Sequence, residues 1–273
     1  DDNFKTGLLL SSQYKILSTN TYYYIQYPNG ALDWVRKQVN VRKAFSSIVV
    51  DMNDNHFNSE VEVINTHLHP TSKVIRLAQI IELSEYLKTS PWRKKPLILA
   101  GDFNAQPHSF EWDVIVYLLG LRDAHIQTNS EYLSVDCTYC EDNPMSWGGK
   151  SRVLDFVFYR SGANVALNPI VSQVYPKTHK GQYLSDHFGK KVSFELTVSP
   201  SESSPIQRPV DSYTKTLLNR LLKLFKQQKS SNFDYVQNII EKRLSELGSV
   251  NPQRIASSCD DLLQPAFRGL PIP

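Results

Sequence analysis

Gly101-Asp102-Phe103-Asn104 directly follows the apolar run Leu97-Ile98-Leu99-Ala100, and far downstream stands Ser185-Asp186-His187. An apolar run of that length between breakers reads as a strand buried on both faces, and its end is where a site would sit. In an extended segment residues two apart point to the same side, so Asp102 and Asn104 would present a carboxylate and an amide together. That pairing suits a hard cation and a phosphoryl oxygen. Two more short segments, Thr66-His67-Leu68-His69 and Leu154-Asp155-Phe156, also end or follow expected strands. Rigid scaffolds usually carry their catalytic groups where a strand yields to a loop, as all four of these segments do. GDFN alone could be a turn with an Asx cap; the joint occurrence of the four is the argument.

The elements that must position these groups read as an α+β domain. Strands are expected at residues 8–10, 45–51, 61–66, 97–100, 153–159 and 192–198. Val74, Leu77, Ala78 and Ile81 fall at helical spacing, and Ser109 opens a second helix carrying Trp112, Ile115, Val116 and Leu119 before Gly120. Few helices among many strands suggest packed sheets covered by helices. Pro200-Ser201-Glu202-Ser203-Ser204-Pro205 marks a linker, expected over 199–210, between a domain at 1–198 and a helical extension at 211–273. In that extension Asp211 can cap a helix bearing Leu217, Leu218, Leu221, Leu222 and Phe225, and Asn232 can start another reaching Gly248. The extension is expected to be a separate unit. Six basic residues and one acidic one lie between Arg208 and Lys229. Such a helix could rest on an anionic membrane; the more ordinary reading packs it on the domain with a solvated lysine face.

The 273 residues and 41% apolar content are ample for a core. A formal charge of +3, from 30 basic and 27 acidic side chains, is too balanced to announce a nucleic-acid coat. No stretch approaches the ~20 apolar residues of a membrane span, and residues 1–15 have no signal-peptide pattern. Cys137, Cys140 and Cys259 make neither a disulfide framework nor a four-thiolate site. Two buried thiols at Cys137 and Cys140 are the plainer expectation, with a local disulfide the alternative in an exported protein. Tyr22, Tyr23, Tyr24, Tyr27 and Trp34 suit either a membrane interface or a packed sheet.

The order TH, GDxN, LDxV, SDH resembles the signature of the endonuclease/exonuclease/phosphatase superfamily, which includes deoxyribonuclease I, abasic-site endonucleases, inositol polyphosphate 5-phosphatases and neutral sphingomyelinases. Residues 7–198 are similar to its later two-thirds, with Leu10-Ser11-Ser12-Gln13-Tyr14-Lys15-Ile16 resembling its S-R-Y-P-I segment. Asn65-Thr66-His67-Leu68-His69, Gly120-Leu121-Arg122-Asp123-Ala124, Cys137-Thr138-Tyr139 before Asn143-Pro144, and Asp33-Trp34 followed by Lys43-Ala44-Phe45 look most like the neutral sphingomyelinases. Arg42 stands where those relatives usually have glycine.

The resemblance implies a deoxyribonuclease I-like fold, a two-sheet β-sandwich flanked by helices, here without its first strands. It implies a Mg²⁺-dependent phosphodiesterase, with Mn²⁺ or Co²⁺ able to substitute, that hydrolyses sphingomyelin to ceramide and phosphocholine by in-line attack of water. His187 is then the general base, Asp155 its orienting carboxylate, and Asn104 and His67 donors to the phosphoryl oxygens. Lys43 binds substrate as a point charge. Asp102 assists the leaving alkoxide or touches the metal, and Asp186 holds the polar network or the metal. The family's principal glutamate ligand is expected upstream of residue 1, on an N-terminal part of the same polypeptide. His69 reads as a loop histidine and Asp123 as a turn cap. The implied partner is a phospholipid at a membrane surface, reached peripherally, on the cytoplasmic face or after secretion. A nuclease or phosphoinositide phosphatase on the same scaffold, or a non-catalytic scaffold, are the alternatives; the charge balance does not favour nucleic acid.

Overall fold

The computed structural model describes residues 7–25, 43–53, 59–146, 149–175, 178, 181–198, 212–228 and 233–248. The expected linker at 199–210 lies outside these residues, as do Tyr27, Asp33, Trp34 and Arg42.

Among the described residues six strands form the larger sheet: β1 (Ile16–Tyr23), β2 (Ala44–Asp51), β3 (Glu60–His67), β4 (Leu97–Asp102), β5 (Arg122–Asp123) and β6 (Asp155–Arg160), in the order β1-β2-β3-β4-β6-β5. Helix α1 (Lys73–Thr89) is the crossover that lets β3 and β4 run parallel, whereas β6 lies antiparallel to β4. Its start is fixed by Ser72, whose side chain accepts from the Ile75 N–H. A short helix α2 (Phe110–Asp113) continues as a π-helical turn over Val114–Leu118, and α3 (Ala124–Asn129) follows β5. Strands β7 (Val165–Val174) and β8 (Lys190–Val198) pair antiparallel as a second sheet.

Alternation along the strands divides the apolar residues between two layers. Ile48, Val50, Val61, Ile98, Val157 and Tyr159 face the second sheet, where Leu167, Val192, Phe194 and Leu196 meet them. Ile64, Leu97, Leu99, Phe156 and Phe158 face the helices and close on Leu77, Ile80, Ile81, Phe103 and Ile115. Packing on both sides is what the near-continuous apolar runs of β2, β4 and β6 predict. The fold is thus the expected two-sheet sandwich flanked by helices.

Several details depart from the sequence reading. Residues 8–10 form no strand; the edge strand is β1, eight residues later in the chain. Strand β7 carries Pro169, with a bulge between Pro169 and Val171, a combination allowed in a two-stranded ribbon. The helical extension, expected to stand apart, shares the core. Leu218, Leu221 and Phe225 of α4 (Ser212–Lys226) and Val236, Ile239 and Ile240 of α5 (Asp234–Gly248) belong to the same buried cluster as Leu77 and Ile81. Ion pairs join α5 to α1, at Lys88–Glu246 (2.9 Å) and Arg243–Glu85 (3.5 Å). The leucines of α4 therefore face protein, and its Lys215 and Lys223 lie exposed. Tyr24 is buried and Tyr22 stacks on Phe45, so these tyrosines serve the packed sheet. No described helix is long and apolar enough to cross a membrane.

Candidate active site

The four segments converge at one end of the larger sheet because of strand direction. His67 and Asp102 are the last residues of the parallel strands β3 and β4, and they are register partners. Asp155 is the first residue of the antiparallel β6 and pairs with Asp102 from the other side. Two further backbone bonds prolong the ladders past the strand ends, Leu68 N–H to Asp102 O and Phe103 N–H to Leu154 O, both 2.9 Å. Gly101 makes the close approach feasible: its φ is +142°, and a Cβ there would collide with the Thr66 carbonyl.

Asp102 and Asn104 do lie together, but a turn brings them there rather than strand alternation. Asn104 has φ +49°; its N–H donates to Asp102 Oδ1 (2.8 Å) and its amide Nδ2 to Asp102 Oδ2 (3.1 Å). Asn104 Nδ2 also donates to the Leu68 carbonyl (3.1 Å), so both amide hydrogens are engaged and Oδ1 is left as the free oxygen.

His187 Nδ1 lies 2.7 Å from Asp155 Oδ2, and His187 Nε2 lies 4.0 Å from Asp102 Oδ2. A proton on Nδ1 satisfies Asp155 and leaves the Nε2 lone pair directed toward the Asp102 side. Burial opposes charge on this ring. The Asp155 hydrogen bond and the negative charges of Asp155, Asp102 and Asp186 outweigh it and hold the pKa above the usual histidine value. Burial, and then the charge of Asp155, holds the Asp102 carboxyl well above the usual carboxylate range.

Lys43 Nζ lies 2.8 Å from His67 Nε2, and that nitrogen is 3.4 Å from Asp102 Oδ2. Burial pushes Lys43 down to about 8 against the attraction of Asp102. Burial, then the charge of Lys43, pushes His67 down to about 4. At neutral pH a charged lysine therefore donates to a neutral imidazole, whose own proton sits on Nδ1.

Asp186 Oδ1 accepts from the Ser185 hydroxyl (3.2 Å) in the loop that carries His187, while the acidic and histidine side chains that converge are Asp102, Asp155 and His187. Its charge is still felt at His67 and His187. His69 is a loop histidine whose Nδ1 accepts from the Ser72 N–H (3.0 Å), and Asp123 caps α3 through the His125 N–H (2.9 Å).

The donor chemistry of the cluster fits a hard cation. Two carboxylates and a histidine nitrogen converge, and the mutual repulsion of Asp102 and Asp155 is what a positive ion would relieve.

Three supporting residues lay outside the sequence-derived site. Asn143 is buried and donates through Nδ2 to the Ser185 carbonyl (2.9 Å), holding the loop that carries His187. The ring of Tyr139 meets the His187 imidazole edge-on at 5.3 Å. Thr138 receives the Leu154 and Asp155 N–H groups on its hydroxyl, at 3.0 and 3.1 Å. The segments Cys137-Thr138-Tyr139 and Asn143-Pro144 were the available signals; Asn before Pro favours a turn, and Asn143 Oδ1 accepts from the Met145 N–H.

A two-sheet sandwich with a histidine–aspartate pair facing carboxylate and amide groups at one sheet end defines a phosphoesterase-type hydrolase. Residues 4–187 match the Endonuclease/Exonuclease/phosphatase family, and the chain belongs to it. Enzymes of this family are metal-dependent phosphoesterases. Sphingomyelin phosphodiesterase 2 of Rattus norvegicus is 25% identical over 158 residues, which cover 54% of this chain and 37% of that protein. Two solved structures are also similar. A mannosyl-6-phosphatase of Bacteroides thetaiotaomicron is 20% identical with a TM-score of 0.47, covering 67% of each chain. D. rerio TDP2, complexed with single strand DNA product, is 18% identical with a TM-score of 0.49, covering 66% of this chain and 68% of that one.

Proposed function

We propose that the protein is a Mg²⁺-dependent phosphodiesterase of the sphingomyelinase type, cleaving the bond between phosphorus and the primary alcohol oxygen of ceramide to release phosphocholine. The observation that carries the reading is the 2.7 Å bond between His187 and Asp155, which faces Asp102, Asn104 and the Lys43–His67 pair. The sphingomyelin part is motivated by the sphingomyelinase-like segments around residues 65–69, 120–124 and 137–144 and by the similarity to the rat enzyme.

His187 Nε2 takes the proton of the attacking water, and Asp155 holds the tautomer and stabilises the imidazolium that forms. Lys43 supplies charge to a phosphoryl oxygen with the hydrogens that His67 does not accept. It is better placed for this than Asn104, whose amide hydrogens are held by Leu68 and Asp102. His67 positions the lysine. Asp102, with the Asn104 amide oxygen, would hold the cation, and Asp186 adds negative charge nearby. When bound, Mg²⁺ polarises the phosphoryl oxygen and neutralises charge on the leaving oxygen.

The test is phosphocholine release from sphingomyelin vesicles by the purified protein with Mg²⁺ or EDTA, using His187→Ala as the inactive control. Mg²⁺-dependent release lost in the variant supports the reading. Release that persists undiminished in His187→Ala overturns the mechanism, and cleavage of duplex or abasic DNA in preference to the lipid overturns the substrate.

A further inference from the structure

Thr138 is fully buried and sits inside a short turn closed by the Cys137–Cys140 disulfide, where the sequence reading favoured two free thiols. Two backbone segments, 152–155 and the one at Phe188, hang on this one residue. Its hydroxyl accepts the Leu154 and Asp155 N–H groups, its N–H donates to the Arg152 carbonyl (3.0 Å), and its carbonyl accepts the Phe188 N–H (2.7 Å). Asp155 is one half of the hydrogen-bonded pair, and Phe188 follows the other half in sequence. Both sulfurs pack with Phe188 in a small apolar cluster, completed by Val174 and Tyr183. The disulfide therefore clamps the residue that ties the Asp155 strand to the His187 loop. A closed turn has fewer conformations to explore, so opening it frees Thr138 to leave its four partners.

The two sulfurs differ in access. A cavity of about 400 Å³ opens beside Cys137, lined with it by Ser134, Val135, Glu141, Asp142 and Ser151. Cys140 is completely covered. Attack in line with the bond therefore falls on the Cys137 sulfur, with Cys140 as leaving group. Cys140 Sγ lies 2.9 Å from the Cys137 carbonyl, which is ready to accept a hydrogen bond from the thiol that forms. The carboxylates of Glu141 and Asp142 at the mouth favour an uncharged thiol over an anionic one such as glutathione.

We propose that Cys137–Cys140 is a thiol-exchange site through which an uncharged small dithiol switches the catalytic pair off. A thiolate of the dithiol attacks Cys137 Sγ, the Sγ–Sγ bond breaks, and the Cys140 thiolate leaves and takes up a proton. The second thiolate then attacks the reagent's own sulfur in the mixed disulfide. This releases Cys137, which is protonated in turn, and the cyclic disulfide of the reagent. Two electrons and two protons pass from the dithiol to the protein. In the reduced state Thr138 loosens, and Asp155 and His187 lose their shared anchor.

The turnover arm rests on the reading of Asp155 and His187 as the working pair; the structural arm does not. The experiment uses the full chain with Cys259→Ser, so that only this cysteine pair responds, before and after dithiothreitol, with mass spectrometry after alkylation to count free thiols. Amide hydrogen exchange is read over residues 138–155 and 185–188, and phosphodiester turnover is read with dithiothreitol removed. The expected result is gain of two thiols, faster exchange in both segments, turnover lowered by at least about tenfold, restoration on reoxidation, and slower reduction by glutathione. A Cys137→Ala/Cys140→Ala variant should show the slow state permanently and ignore dithiol. Unchanged exchange in the reduced protein, or turnover in the double variant equal to that of the oxidised chain, would overturn the proposal. If no phosphodiester is cleaved at all, the proposed activity fails while the exchange data still decide the switch.

Discussion

Asp102 and Asp155 are direct cross-strand partners at the same end of the sheet, β4 against β6. Like charges directly opposite each other destabilise a sheet by up to about 1 kcal/mol. Asp102→Asn keeps the acceptor for the Asn104 N–H while removing one charge. The metal-free variant should be more stable than the parent by about that amount in urea unfolding. The sign follows from the raised pKa of Asp102: the parent loses stability as pH rises from the ordinary carboxylate range toward that raised value, and the variant does not. A variant less stable than the parent at pH 7 would contradict the relationship.

Mg²⁺ should stabilise the parent by mass action, by about 2.7 kcal/mol at a hundredfold excess over its dissociation constant. Asp102→Asn should lose most of that gain. Equal shifts in thermal midpoint for both proteins would place the cation elsewhere.

The pH profile has two limbs. In the proposed mechanism His187 acts as a neutral base and must be deprotonated, and its raised pKa puts the acid limb of kcat/KM above the ordinary histidine value of ~6.5. Lys43 is charged below about 8, so the rate should fall again as pH rises through that value. Lys43→Met should lower kcat/KM and remove the alkaline limb while retaining the acid one. An alkaline limb that survives in Lys43→Met would assign it to another group.

Arg76 bridges the framework and the site loop. Its guanidinium grips Glu111 at 2.8 and 3.0 Å and donates to the carbonyls of His69 and Pro70, just past His67. Both partners of the ion pair are largely buried, at 11% and 3% side-chain exposure. Arg76→Met should cost about 3 kcal/mol, because the buried Glu111 carboxylate loses its close partner and keeps only the exposed Lys73 at 3.8 Å. Adding Glu111→Gln should recover part of the loss. Additive losses in the double variant would mean the two groups act separately.

Gly101→Ala should cost about 3 kcal/mol or more, since the backbone is at positive φ and the Thr66 carbonyl occupies the place of the new carbon. Chemical denaturation decides this, and an unchanged midpoint would show that β4 can shift away from β3.

The sequence carried the site further than it carried the frame. Asp102, Asn104, Asp155, His67 and His187 were legible because strand ends and polar residues coincide there, and the topology brings them within reach of one another. Strand β1 was missed because its Ser, Thr and Asn residues sit on an exposed edge, where alternation is weak. Strand β7 was not expected, because Asn168 and Pro169 within it are residue types more common in turns. Packing of α4 on the domain with a solvated lysine face was the more ordinary reading of its sequence; which core residues α4 and α5 join could not be read, because an amphipathic pattern says that one face is covered but not by what. Thr138 stood in the family-like segment Cys137-Thr138-Tyr139, but its role could not be read, because a threonine hydroxyl satisfying two backbone amides leaves no pattern of its own in sequence.

The groups proposed for catalysis come from strand ends and a loop that neighbour each other in space but not in the chain. Asp155 and His187 are 32 residues apart, and Asp102 meets Asp155 across a ladder that includes an α-helical crossover on its far side. Loop closure must precede such contacts, so they form late in assembly. Turnover is then a clock for the last stage of refolding: helices and local turns can be complete while the enzyme is still silent, and recovery of activity marks closure of the β4–β6 seam.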